Sequence, residues 1–181
     1  MRVGFLETSA CLAVLLSSSL AAAQWQRNGK QWPDSAWSKS ESGFSAMLLM
    51  SDNPDEVVRD WETPDAPVTV RAVNTITRGV PIVGFVVFAG CEPDERGNCN
   101  ASVDFIVLKP DGSEYVNFPD RDLWRGKPAP PKDTLRLAAE YVGVIIEPDD
   151  PLGEYEVRAS IHDRNADAHL ELRRTFTATA R

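Results

Sequence analysis

Two alternating runs near the C-terminus constrain the fold of this chain more than any other feature. Tyr155, Val157, Ala159 and Ile161 are apolar at every second residue, Leu170, Leu172, Phe176 and Ala178 keep the same period, and Arg164-Asn165-Ala166-Asp167 lies between. A period of two belongs to a strand with one buried face, and two such runs around a short Asn-containing turn form an antiparallel hairpin. A one-residue slip would turn a whole apolar row towards water. The pairing is therefore restricted, and closing on a two-residue Asn165-Ala166 turn sets Ile161 opposite Leu170 and Tyr155 opposite Phe176. The same register sets His162 opposite His169 on the outer face, and these are the only two histidines in the sequence.

Upstream, short apolar runs alternate with turn chemistry. Strands are expected at Phe44–Met50, across Val68, Val70 and Ala72, at Val103–Val107, at Leu135–Leu137 and at Val142–Ile146; Val80–Phe88, almost continuously apolar, suits a central strand. Asn53, Pro54 and Glu56 form a capping-box arrangement that starts a short helix, ending near Trp61 before Thr63-Pro64. The Pro-rich stretch 119–132 reads as a surface loop anchored by Leu123 and Trp124. At 43% hydrophobic residues the chain can fill a core. The expected fold is all-β: a single antiparallel β-sandwich over 44–181, immunoglobulin- or fibronectin-like in the broad sense, with one short helix near 54–61.

The N-terminus reads differently. Arg2, the apolar run Cys11–Leu20 and the small residues Ala21-Ala22-Ala23 have the pattern of a signal peptide over 1–23, too short to span a bilayer as a helix. No other segment reads as transmembrane, so the expected location is the periplasm or outside the cell. Residues 24–43 are polar and without period, yet they hold Trp25, Trp32 and Trp37. Such an arm either lays its indoles on the domain or presents them to a partner or to sugar rings.

Cysteine usage fits export. Cleavage after Ala23 leaves Cys91 and Cys99 of the three cysteines, and in an oxidising compartment a disulfide is the natural pairing. Its small loop would stabilise the fold by about 2.5 kcal/mol on the chain-entropy argument. The two cysteines fall at the ends of Phe85–Phe88 and Val103–Val107, so the bridge is expected to clamp these as a neighbouring antiparallel pair. A thiolate metal site is the alternative, but the intervening residues 92–98 offer only hard carboxylates.

Charge excludes more than it selects. With 27 acidic against 19 basic residues the net charge is -8, which argues against nucleic-acid binding. The sharpest constellation is the His162/His169 pair: cross-strand neighbours lie about 5 Å apart at Cβ, near enough for two imidazoles to share zinc or copper, with Asp163 and Asp167 beside them. Met47 and Met50 as copper(I) ligands, and Asp94, Glu95 and Glu147–Asp150 as calcium ligands, lack a supporting pattern. A Ser/His/acid hydrolase would need a histidine in a cleft rather than on an open strand face.

The segments DSAW, SGFSAMLLMSD, RGVPIVGFVVFAGC, GNCNASVDFIVLKPDGS, LWRGKPAPP and IEPDDPLGEYEVRASIHD, taken together, resemble a group of exported bacterial Ig-like proteins of unassigned function. The resemblance covers most of the chain after the leader and implies a periplasmic single domain. It carries no activity and assigns no site residue. The sequence thus predicts an exported, non-catalytic binding or accessory module with a periplasmic or envelope protein as partner and no cofactor. A small metal-binding protein is the second expectation and a hydrolase the third.

Overall fold

The computed structural model describes residues 26–27, 30–31, 33–63, 70–132 and 134–180. The leader 1–23, Trp25, Trp32 and Val68 lie outside them. The elements run β1 (Gln26–Arg27), β2 (Lys30–Gln31), β3 (Ser38–Glu41), β4 (Phe44–Ser51), α1 (Pro54–Glu62), β5 (Thr75–Thr77), β6 (Pro81–Ala89), β7 (Asn98–Leu108), β8 (Glu114–Pro128), β9 (Arg136–Leu137), β10 (Val142–Ile145), β11 (Gly153–Asp163) and β12 (Ala168–Thr179). The fold is all-β with one helix among the described residues.

Two five-stranded sheets enclose one core. The first is ordered β10-β6-β4-β3, with β9 also on β6, and curls into a half-barrel; the second is β5-β12-β11-β7-β8. Phe44, Leu48, Met50, Ile82, Val86 and Phe88 of the first sheet meet Val103, Phe105, Tyr155, Val157, Ile161, Leu170 and Phe176 of the second. Tyr155 and Phe176 stack at 5.3 Å between ring centroids, joining the two halves of the C-terminal hairpin. That hairpin has the expected register, with Tyr155 opposite Phe176, Ile161 opposite Leu170 and His162 opposite His169. The ladder stops at Asp163 and Ala168, so the turn is four residues long.

The central-strand reading of Val80–Phe88 matches β6, whose two faces are both covered. One faces the core, and the other carries Val83 and Phe85 against Val57 of α1. The helix starts and ends near the expected residues, but the capping box does not form. Ser51 Oγ accepts the Asn53 N–H, so Glu56 bonds the Asn53 side-chain amide instead of the backbone.

The strand expected across Val68, Val70 and Ala72 is, at the described residues 70–72, only a bridge from Ala72 to Ser51, and four further expectations are corrected. First, β6 and β7 are not neighbours: β6 pairs with β4, β9 and β10, whereas β7 pairs with β8 and β11. The Cys91–Cys99 disulfide, with Cα atoms 5.9 Å apart, therefore ties one sheet to the other. Second, residues 119–128 of the expected 119–132 loop belong to strand β8 (Glu114–Pro128), in which Leu123 is buried. Its register shifts repeatedly against β7, and Asp120 and Gly126 take positive φ. As an edge strand whose register is interrupted beside it, β8 tolerates Pro119. Third, β5 joins β12 in parallel, so the second sheet is not purely antiparallel. Fourth, the end of the polar 24–43 segment forms β3 against β4.

Backbone bonds cross between the sheets at two seams. On one side Leu48 N–H donates to Trp37 O, while Arg173 N–H donates to Ala36 O, so residues 36–41 serve both β4 and β12. On the other side Ala138 N–H donates to Val86 O, while Ala139 and Glu140 donate to Leu123 and Asp122 O.

Candidate functional site

The outer face of β11 and β12 follows from their alternation: with Tyr155, Val157, Ala159 and Ile161 inward, Arg158, Ser160 and His162 point out, opposite Arg173, Glu171 and His169. The imidazoles of His162 and His169 lie edge to face, 4.1 Å apart at their centroids. His169 Nε2 sits 2.8 Å from Ser160 Oγ and 2.5 Å from Glu171 Oε1, and the serine hydroxyl donates to the same carboxylate oxygen at 2.6 Å. The His169 backbone N–H donates to Glu41.

This arrangement limits the chemistry available. A Ser/His/acid relay uses one ring nitrogen for the hydroxyl and the other for the acid. Here Nε2 faces both partners, so the described contacts do not form a relay. The proposed metal shell is also divided, because Asp163 points to the opposite face of β11 from His162 and is buried. Its carboxylate accepts the N–H of Glu92 at 2.7 Å and of Asn165 at 3.1 Å. Burial pushes its pKa up, opposed by those backbone bonds. Asp167 is exposed on the turn, with positive φ. Among the described residues no three His, Cys, Asp or Glu side chains are placed to hold a metal ion.

Asp163 has a structural partner instead. Asn165 adds side-chain bonds to Glu92 O at 2.8 Å and Asn98 O at 3.1 Å, so the hairpin turn clasps the disulfide loop at both ends. The acidic turns are similarly occupied. Asp94 accepts the N–H groups of Arg96 and Asn98, and Asp150 accepts the Glu147 N–H and the Tyr115 hydroxyl. The Tyr115 bond is the main cause holding the Asp150 carboxyl below the usual range.

Of the three tryptophans in the N-terminal segment, Trp37 is described. It is half-buried, and the Arg174 guanidinium carbon lies 5.1 Å from its ring centroid. Arg174 occupies an inward position of β12, where burial lowers its pKa. The alternation alone would have placed an apolar residue there.

A second feature of this face was missed by sequence reading. Arg158 and Arg173 are direct cross-strand partners. They line one side of an open recess of about 620 Å³, with Asp34, Ser35, Ala36 and Lys39 also lining it. Arg158 Nε bonds Glu156 at 2.5 Å, whereas neither Arg173 nor Lys39 has a side-chain hydrogen bond or ion pair among the described residues. The available signal was the hairpin register, which pairs 158 with 173 as surely as 162 with 169.

Neither a protein-family model nor a curated protein sequence matches the chain. Solved structures give distant likenesses. An alkylpurine DNA glycosylase from Pseudomonas fluorescens, bound to DNA containing an abasic site analog, is 14% identical with a TM-score of 0.36, over 59% of this chain and 28% of that one. A family 123 glycoside hydrolase from Clostridium perfringens is 9% identical with a TM-score of 0.41, over 75% and 27%. A Niemann-Pick type C2 protein from Japanese carpenter ant is 15% identical with a TM-score of 0.35, over 59% and 79%. The chain thus spans less than a third of the first two proteins, and at these scores none of the likenesses bears on activity.

Proposed function

We propose that this chain is an exported, non-catalytic binding or accessory module of the bacterial periplasm, built on an Ig- or fibronectin-like frame, with a periplasmic or envelope protein as partner. The observation that carries the reading is the cleft between residues 34–39 and the outer face of β11 and β12. A recess of about 620 Å³ has the size of a binding site, and two strands of a disulfide-tied frame hold one wall in place. The Cys91–Cys99 bridge suits an oxidising compartment, and the 1–23 leader pattern supplies the route there.

The test is site-specific photocrosslinking in intact cells, with the crosslinking residue at Lys39 in one strain and at Glu114, distant on β8, in another. A discrete adduct from position 39 alone is expected. The same background from both positions would refute the reading. The metal-binding alternative is supported by the 4.1 Å spacing of the two imidazoles, and zinc titration that leaves the His162 and His169 ring signals unmoved would dismiss it.

A further inference from the structure

We propose that the cleft recognises a carboxylate carried on an extended stretch of the partner polypeptide, with Arg158 and Arg173 as its receptor and Lys39 as a supporting cation. This rests on the binding-module reading and adds the chemistry of the ligand.

The first reason is the juxtaposition of like charges. Cations directly opposite each other on neighbouring strands repel, and in a chain of net charge -8 an acidic partner for each would be easily supplied. Only Arg158 has one, through Nε, which leaves its two terminal amino groups available. An anion seated between the guanidinium groups turns the repulsion into attraction. Arginine forks match a carboxylate in paired, charge-assisted hydrogen bonds.

The second reason is the local charge count. Three cations, Lys39, Arg158 and Arg173, line the cleft with two carboxylates, Asp34 and Glu171. Both acids are engaged within the protein: Asp34 accepts the Ser40 N–H at 3.2 Å, and Glu171 is held by Ser160 and His169. With Glu156 on Arg158 the charges around the cleft balance, yet Arg173 and Lys39 are left without a side-chain partner among the described residues. Two unpartnered cations among neighbouring acids suit a singly charged carboxylate better than a phosphate dianion, which those acids would repel about twice as strongly. The remaining acceptor oxygens of Asp34 and Glu171 suit the N–H donors that flank a carboxylate on a peptide, and a free inorganic anion has none.

The experiment is isothermal titration of the purified protein with acetyl-Ala-Asp-Ala-Glu-Ala-amide. Its neutral counterpart acetyl-Ala-Asn-Ala-Gln-Ala-amide, glutarate and inorganic phosphate are titrated in parallel, and amide NMR spectra locate the site. Saturable binding of the acidic peptide is expected, weakened by salt, with shifts at Ala36, Leu172 and Arg173. Arg173→Gln should lower the affinity about tenfold or more, and Lys39→Gln less. Neither change should lower the melting temperature, because each removes a cation without an internal partner. Equal binding of the neutral peptide, or no binding of the acidic one, would overturn the proposal. Glutarate or phosphate binding as tightly as the peptide would overturn the polypeptide as occupant. If no peptide binds while crosslinking at position 39 still yields its adduct, this inference falls and the binding-module reading stands.

Discussion

Replacing Asp163 with alanine should destabilise the fold by about 3 kcal/mol, which follows from what its carboxylate holds. The side chain is fully buried and accepts the backbone N–H groups of Glu92 and Asn165. Hydrogen bonds to a charged group contribute about 1.5–3 kcal/mol each. Burial of the ionised form offsets part of that gain, so the lower end of the range applies to each bond. Both donors lose their acceptor in the variant, and for a domain of this size the loss corresponds to a fall of about 6–12 °C in Tm. The pH dependence gives a sharper test. Burial raises the folded pKa of Asp163 above its unfolded value, so between the two values the folded state binds more protons. Stability from this group therefore rises as pH falls through the folded pKa, and the gain is complete below the unfolded value near 4. Asp163→Asn cannot titrate. Urea unfolding of wild type, Asp163→Ala and Asp163→Asn at pH 7 and pH 4 should show wild type gaining on Asp163→Asn at the lower pH. An alanine variant within 1 kcal/mol of wild type, or a wild-type-to-asparagine gap that is the same at both pH values, would refute the reasoning.

Other consequences can be measured in the same way. Cys91→Ser with Cys99→Ser should cost about 2.5 kcal/mol in urea unfolding, and adding reductant to wild type should reproduce the loss. Phe176→Ala removes the ring stacked on Tyr155 inside the core and should cost about 3–5 kcal/mol, with wild-type near-ultraviolet ellipticity reduced. Gly153→Ala puts a Cβ 3.2 Å from the Pro110 ring at a φ of 131°. It should lower the melting temperature, whereas Gly143→Ala, whose added carbon would meet only Val83 Cγ2 at 3.8 Å, should change it far less.

The legible parts of this fold are those where one local rule acted alone. The C-terminal hairpin could be paired residue by residue because two apolar rows left few registers that bury both. The run Val80–Phe88 announced a strand covered on both faces because it carries so little polar character. The partner strands of β6 were not legible, since an eight-residue separation between cysteines is compatible with a hairpin and equally with a crossing between sheets. Strand β8 was hidden by its prolines, because at an edge a residue without an N–H costs the ladder little. Strand β3 gave no signal because its four polar residues are placed by β4 rather than by their own pattern. The histidine pair was legible from register, and the same period of two sends residue 163 inward whenever 162 points out, away from a metal shared by the pair. Arg158 and Arg173 follow from the same register, but a charged pair on a solvent face has no pattern that sets it apart from ordinary surface charge.

The two seams also bear on how this protein behaves in company. A strand with unpaired N–H and C=O groups can recruit a strand from another molecule and so begin a fibril. Residues 36–41 occupy β12 at the Arg173 N–H, and residues 138–140 occupy β8 at Asp122 and Leu123, in a strand whose shifted register and prolines discourage further pairing. The rest of the outer edge of β8 carries charged residues and Pro119, which discourage a further strand. The seams that close the core thus also withhold the templates on which copies of this chain would assemble, and a charged cleft is left as a point of contact that depends on side chains.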